Sequence, residues 1–337
     1  MLDYRFDDLN LMVSLFCPGR CLNCNLWRAE RPDVTKDEMP LQVIDGILQS
    51  RLLSTAFYFD LTAGESQLSP KYVDIVRLIA QRFGSAFLHT NVSGWYPEKH
   101  FEVTRECLEY VDPSRFRIDV SLDGSPETYG KVRLVPSGWE KARKTIGLLR
   151  DLGIVLRVVF IVHKQNYQDI EWFVNFAEDL GIGWYVGFSR QANLLNNVNA
   201  TDIDFTPREL DRIESALERI GYLETRRKSS WLWARSVYEK RTVRFECHMG
   251  RRALVIDPYG NVFPCNDLVP SLNMGNVAAW NGDLDALLSS ERAVEVLHRV
   301  QGGQCQPCTM LCAHKLVFPW GNHTGMPPTG CRKEKDS

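Results

Sequence analysis

The chain has 337 residues, of which 44% are hydrophobic and 24% are charged, and its formal net charge is −2 at pH 7. This length suffices for one large domain and a smaller one, and the near-neutral charge argues against a broad basic surface for nucleic acid or an anionic membrane. No run approaches about 18 uncharged apolar residues, and the sequence opens without a targeting pattern, so we expect a cytoplasmic protein with no nucleic-acid or membrane partner. Ten cysteines in such a protein indicate metal or redox chemistry ahead of disulfides.

Apolar, β-compatible runs alternate with helical patterns over the first 188 residues. We predict strands near 9–16, 55–61, 85–90, 115–121, 154–162 and 182–188. Helices are expected near 40–53, 70–83, 97–110, 138–152 and 168–180, and two more near 207–220 and 230–243. Near-continuous apolar strands separated by helices indicate a mainly parallel sheet covered by helices, and therefore an α/β fold.

Three thiols lie close together directly after the first predicted strand. The segment Cys17-Pro-Gly-Arg-Cys21-Leu-Asn-Cys24 carries Pro18 and Gly19, which suit a loop and not a helix. A four-iron cluster normally takes four Cys ligands, so three local thiols indicate either a distant fourth ligand or an iron left open for a small molecule. A zinc site or three unrelated buried cysteines are the alternatives. The spacing resembles that of the radical SAM enzymes, in which S-adenosylmethionine (SAM) chelates the open iron. Electron transfer in those enzymes cleaves the sulfonium of SAM to a 5′-deoxyadenosyl radical.

The resemblance implies a partial (β/α)6 barrel over residues 1–205, with its active site at the carboxyl ends of the strands. Thr62-Ala-Gly-Glu65 resembles the family's Gly-Gly-Glu, which meets the amino group of SAM, although Ala63 replaces the first Gly. His89-Thr-Asn91 resembles Thr-Asn-Gly. Ser121-Leu-Asp-Gly124 resembles the Ser-Leu-Asp-Gly in which Ser and Asp contact SAM or shape its pocket.

Arg133 stands where relatives place an Arg that holds the methionine carboxylate, a task that suits a guanidinium. Asn23 departs from the family, because relatives carry an aromatic residue there that packs against adenine; this leaves the adenine contact to Leu26 or Trp27. The SAM-binding residues that the resemblance implies are Ala63, Gly64, Glu65, Asn91, Ser121, Asp123 and Arg133.

A second group of cysteines lies in the last quarter of the chain. Residues 253–265 predict a β-hairpin that turns at 257–261 and brings Cys265 back towards Cys247, and a helix near 283–299 then leads to Cys305-Gln-Pro-Cys308. This order resembles the SPASM and twitch extensions of radical SAM enzymes. It implies an auxiliary iron–sulfur domain over 247–337, joined to the barrel by a helical connector over 206–246. A structural zinc ribbon is the alternative.

The number of auxiliary clusters is left open by these cysteines. The twitch interpretation places one [4Fe–4S] cluster on Cys247, Cys265, Cys305 and Cys308 and leaves Cys312 and Cys331 spare. The SPASM interpretation places two clusters, one on Cys247, Cys265 and Cys312 and the other on Cys305, Cys308 and Cys331. Each cluster is then completed by a non-Cys ligand.

An auxiliary cluster beside a radical generator indicates an electron relay. The resemblance implies that the radical removes hydrogen from a carbon that bears a hydroxyl, and that a ketone forms as the cluster takes an electron and a base takes a proton. The barrel starts near residue 9, without the leader-binding domain of peptide-modifying relatives, which favours a small polyhydroxylated substrate of the aminoglycoside or aminocyclitol type. An external flavodoxin or ferredoxin is the expected reductant. The alternatives are an epimerase with Cys312 or Cys331 as hydrogen donor, a ribosomal-peptide maturase and a non-catalytic cluster carrier. The sequence does not identify the catalytic base.

Overall fold

The computed structural model describes residues 5–22, 24–28, 38–192, 194–195, 197, 204–225, 227–241, 247 and 249–305. Within these residues the strands are β1 (Asp8–Leu11), β2 (Tyr58–Asp60), β3 (Phe87–Val92), β4 (Phe116–Ser121), β5 (Val155–Val162), β6 (Gly183–Phe188), β7 (Ala253–Ile256) and β8 (Val262–Phe263). The α-helices are α1 (Leu41–Leu48), α2 (Tyr72–Arg82), α3 (Pro97–Cys107), α4 (Pro126–Arg133), α5 (Gly138–Arg150), α6 (Ile170–Asp179), α7 (Pro207–Arg219), α8 (Lys228–Tyr238), α9 (Leu284–Leu288) and α10 (Glu291–Gln301).

The strands form one sheet in the order β6-β5-β4-β3-β2-β1-β7-β8. Strands β1 to β6 pair in parallel, each with the next along the chain. This confirms the α/β fold, and the six predicted strands all exist. No helix of the described part is long and apolar enough to cross a membrane.

Helix α4 was not predicted, because Gly124, Pro126 and Gly130 are typical of turns. Pro126 occupies the first turn of the helix, where a missing N–H group costs nothing, and Leu134 ends it in a left-handed conformation. The single helix predicted near 283–299 is two helices, since the Ser290 hydroxyl accepts the Ala293 N–H group and starts α10 separately.

The two faces of the sheet differ in chemistry because side chains alternate along each strand. One face packs under the helices and supplies the main core, with Leu9, Phe59, Leu88, Ile118 and Val158 all fully buried or nearly so. The opposite, concave face carries the alternate residues of the same strands, many of them charged. The interior of the partial barrel is therefore polar.

The predicted hairpin exists as β7 and β8, which pair antiparallel. Its turn is held by Asp257, whose Oδ1 accepts the N–H groups of Tyr259 and Asn261 at 2.9 Å each. The sequence did not predict its neighbour: β7 pairs in parallel with β1, from Asp8 opposite Ala253 to Leu11 opposite Ile256. The hairpin thus extends the barrel sheet. The division of the chain at residues 206 and 247 remains a prediction.

Candidate active site

The three amino-terminal cysteines lie in the loop that follows β1. Burial raises the pKa of the Cys17 thiol to about 12, and negative charge at Glu65, Cys21 and Cys24 acts in the same direction. The pKa of Cys24 is likewise raised by burial and by Cys21. Because these groups act on one another's charge, the loop brings the three thiols together.

The segment after β2 lies against this loop. The Glu65 N–H group donates to the Phe16 carbonyl at 2.7 Å. Gly64 has φ +54°, and a Cβ atom on it would lie 2.4 Å from the same carbonyl oxygen. A side chain at this position would push the cysteine loop away, so the predicted Gly serves close approach of two backbones.

Glu65 is buried, with 2% of its surface exposed. Its carboxylate accepts the Ser93 N–H group at 3.1 and 3.2 Å, and His100 Nε2 lies 3.6 Å from Oε1. Burial raises the pKa of Glu65 to about 7, against the lowering effect of the Ser93 hydrogen bonds. Ala63 is half-buried beside it and packs against a small apolar cluster around Met12.

Asp123 and Arg133 form a buried ion pair next to the cysteines. Arg133 Nε lies 2.6 Å from Asp123 Oδ2, and Arg133 Nη1 lies 3.6 Å from Cys21 Sγ. The other oxygen of Asp123 accepts the Ile161 N–H group at 2.7 Å. Helix α4 therefore delivers a fixed positive charge to the thiol loop. Contact of either residue with SAM remains a prediction.

The other predicted SAM contacts, Asn91 and Ser121, lie on the concave face near the ends of β3 and β4. Ser121 is half-buried, while Asn91 is exposed although β3 has a neighbouring strand on each side. The concave face is therefore open to solvent at Asn91. Trp27 is partly exposed and stacks under the Arg20 guanidinium, 5.4 Å from the ring centre; its proposed adenine contact is untested.

A charged network that was not predicted from the sequence lies on the concave face. His89 Nδ1 lies 3.2 Å from Asp60 Oδ1, and His89 Nε2 lies 3.0 Å from Asp119 Oδ2. Arg157 donates to both oxygens of Asp119, from Nε at 2.9 Å, and Arg117 Nε lies 3.6 Å from Asp119 Oδ1. The signal was present in the sequence, because charged residues interrupt strands that are otherwise apolar.

The carboxyl-terminal thiols also converge where they are described. Burial and then negative charge at Cys305 raise the pKa of Cys247. Cys265 is buried in the small apolar cluster against which Cys247 packs. The remaining predicted ligands lie outside the described residues: Cys308, Cys312 and Cys331.

Both groups of cysteines offer the donor set that iron–sulfur clusters use, which is thiolate sulfur. Among the described residues, no three His, Cys, Asp or Glu side chains stand close enough together to hold a single metal ion. A four-iron cluster is larger than an ion and is held by more widely spaced thiols. The residues that fit this group are Cys17, Cys21 and Cys24 at one site and Cys247, Cys265 and Cys305 at the other.

The chain matches two family models. Residues 11–177 match the radical SAM superfamily, and residues 247–312 match SPASM, an iron–sulfur cluster-binding domain. The second match covers all but one of the carboxyl-terminal cysteines.

Similar proteins include one from Bacillus subtilis (strain 168), the antilisterial bacteriocin subtilosin biosynthesis protein AlbA. It is 22% identical over 275 residues, which cover 77% of this chain and 55% of that protein. The chain therefore spans about half the length of this curated relative.

Two solved structures have a similar fold. The complex of anSMEcpe with AdoMet and the Cp18Cys peptide has a TM-score of 0.61 at 12% identity, over 87% of this chain and 83% of that one. SuiB of Streptococcus suis bound to the precursor peptide SuiA has a TM-score of 0.62 at 14% identity, over 87% and 67% of the two chains.

Proposed function

Because this chain belongs to the radical SAM superfamily and carries a SPASM domain, we propose that it is an oxidoreductase that converts a secondary alcohol of its substrate to a ketone. Its cofactors are SAM, a [4Fe–4S] cluster and at least one auxiliary [4Fe–4S] cluster. When bound, they supply a 5′-deoxyadenosyl radical, which removes a carbon-bound hydrogen atom, and an acceptor for one electron. The three amino-terminal cysteines hold the first cluster, and the carboxyl-terminal ones hold the auxiliary cluster.

The residues around the first cluster have separate tasks in this proposal. Gly64 lets the cysteine loop approach, and the Glu65 carboxylate receives the ammonium of SAM. Arg133, held by Asp123, presents its guanidinium to the methionine carboxylate. A pKa of about 7 leaves Glu65 poised to ionise when a cation arrives beside it.

The observation that carries the substrate proposal is the polar concave face. Asn91 is exposed in the middle of the sheet, Ser121 is half-buried beside it, and the Asp60 side chain is 24% exposed. A cavity lined with amide, hydroxyl and carboxylate groups suits a ligand that carries many hydroxyl and amino groups. This supports a small polyhydroxylated substrate of the aminocyclitol type.

Peptide modification is the second candidate. The similarity to a protein of bacteriocin biosynthesis favours it. A peptide with a hydroxyl-bearing side chain would contact the same polar concave face. The two candidates therefore differ in the size of the substrate, while the reaction, oxidation of an alcohol, is the same.

The test is a substrate panel with the anaerobically reconstituted full chain, SAM and a reduced flavodoxin. The panel contains aminocyclitols deuterated at their carbinol carbons and peptides with deuterated serine. We expect deuterated 5′-deoxyadenosine and an aminocyclitol ketone that has lost the carbinol deuterium and the hydroxyl hydrogen. A product of unchanged oxidation level in which a solvent hydrogen replaces the carbinol deuterium identifies an epimerase, and an oxidised peptide supports the second candidate.

The control compares two cysteine variants. Cys24→Ala should abolish 5′-deoxyadenosine formation, while Cys107→Ala should retain it, because Cys107 is the last residue of α3 and is fully buried in the main core. A wild-type chain that holds its clusters and releases no 5′-deoxyadenosine would be a cluster carrier, and the proposal would be wrong.

A further inference from the structure

In the charged network on the concave face, His89 lies between two carboxylates. Asp119 is 2% exposed, and its pKa is held far below the usual range by Arg157, His89 and Arg117 despite its burial. Asp119 is therefore ionised and accepts a hydrogen bond from His89 Nε2 at 3.0 Å. On the other side of the ring, His89 Nδ1 lies 3.2 Å from Asp60 Oδ1.

Two guanidiniums also contact this network. Arg157 forms an ion pair with Asp119, and Arg117 Nε lies 3.6 Å from the same carboxylate. Asp8 approaches Asp60 from β1, and its pKa is raised well above the usual range by loss of hydration and then by the charges of Asp60 and Asp7. The raised pKa favours the neutral acid form of Asp8.

Asp60 is the member of the network that a substrate can reach. Its side chain is 24% exposed, against 8% for His89 and 3% for Asp119. Asn10 pairs with Asp60 in the register of β1 and β2 and is 8% exposed. Its Oδ1 finds no hydrogen-bond donor in the part of the chain that the structure describes. A buried acceptor without a donor is costly unless a ligand supplies one.

The position along the strands fits a substrate between this network and the thiol loop. Asp119 and Asp123 lie four residues apart on β4 and its extension, which corresponds to about 13 Å at ~3.3 Å per residue. Asp123 belongs to the ion pair beside Cys21. Ser121 lies halfway, and Asn91 pairs with Asp119 in the register.

We infer that Asp60 accepts the proton of the substrate hydroxyl during oxidation, that His89 positions Asp60, and that Asn10 Oδ1 accepts a hydrogen bond from a neighbouring hydroxyl or amino group. This rests on the proposed function. The carbinol C–H bond gives its hydrogen atom to the 5′-deoxyadenosyl radical, the O–H proton passes to Asp60, and the remaining electron leaves to the auxiliary iron–sulfur cluster as the C=O bond forms.

The first test uses Asp60→Asn with the first deuterated substrate that the wild type oxidises. We expect ketone formation to fall about 100-fold or more, the usual effect of losing a proton acceptor, while deuterium still appears in 5′-deoxyadenosine. Asp60→Glu should recover part of the rate. Asp74→Asn is the matched control and should keep wild-type activity, since Asp74 lies half-exposed on α2 and its ion pair among the described residues is with Arg77.

The second test needs no substrate. In nitrogen-15 spectra of the histidine-labelled, reconstituted chain, with His89→Gln to assign the signal, Asp60→Asn should shift the Nδ1 resonance of His89, because the two groups are in contact. An unchanged resonance would overturn the positioning role of His89. Ketone formation by Asp60→Asn at the wild-type rate would overturn the role of Asp60, yet leave the oxidase function standing. A wild type that oxidises no member of the panel removes the proposed function and, with it, the role of Asp60.

Discussion

Replacing Gly64 with Ala is expected to destabilise the cofactor-free chain by about 2–5 kcal/mol. A left-handed φ of +54° costs a residue with a Cβ atom about 1–2 kcal/mol. The new Cβ atom would lie 2.4 Å from the Phe16 carbonyl oxygen and 2.9 Å from Leu15 and Ser14 backbone atoms. Backbone cannot rotate away as a side chain does, so overpacking adds about 1–3 kcal/mol.

The assay is urea unfolding of the cluster-free full chain, together with iron per chain after anaerobic reconstitution. The matched control is Gly147→Ala in α5, where an added Cβ atom meets nothing within 4 Å. That variant should gain about 0.5–1 kcal/mol, the helix preference of Ala over Gly. We expect Gly64→Ala to lose iron as well, since the cysteine loop must move to admit the methyl group.

A Gly64→Ala chain with wild-type unfolding and a wild-type iron content would refute this prediction. Loss of stability without loss of iron would mean that the strain is real, but that the loop relaxes without moving its thiols.

The remaining predictions concern charge, cofactor and sheet. The pKa of Glu65 is about 7 in the folded chain and near 4.5 in the unfolded chain, so the folded state binds the proton more tightly. The free energy of unfolding should therefore fall by about 3 kcal/mol as the pH rises through this interval. Urea unfolding below and above the interval should show this fall in the wild type and not in Glu65→Gln. Arg133→Met leaves Asp123 buried without its partner and should cost about 3–5 kcal/mol in urea, whereas Arg82→Met breaks a half-exposed pair and should cost under about 1 kcal/mol. Alanine at all three amino-terminal cysteines should leave roughly four irons per chain if there is one auxiliary cluster, and roughly eight if there are two. A chain that ends at residue 246 should yield little soluble protein, because it removes β7 and exposes the edge of β1.

Local patterns were sufficient to predict the barrel strands. Residues in β1 to β6 alternate between the helix-covered core and the concave face, yet enough of them are apolar for each strand to be recognised. The loop cysteines, Gly64 and Asp123 could also be placed at the carboxyl edge of the sheet, because each follows a strand and parallel strands end at one edge.

Register and distant pairing could not be read in this way. His89 meets Asp60 and Asp119 only because three strands align at particular residues, and the sequence shows charges without their partners. Arg133 was predicted from a motif alone. Its pairing with Asp123 depends on α4, a helix that local turn signals concealed. The pairing of β7 with β1 joins segments more than 240 residues apart, which no local pattern specifies.

This distant pairing has a consequence for the proposed relay. The small apolar cluster contains Met12 next to β1, Val255 of β7 and Phe263 of β8. Leu15 and Ala63, which lie at the thiol loop, pack on this cluster, and of the auxiliary thiols Cys265 belongs to it and Cys247 packs on it. Because close-packed interiors deform little, the same few side chains hold the two groups of thiols near a fixed separation. The hairpin would therefore support the proposed electron relay by its place in the barrel sheet as well as by the cysteines next to it.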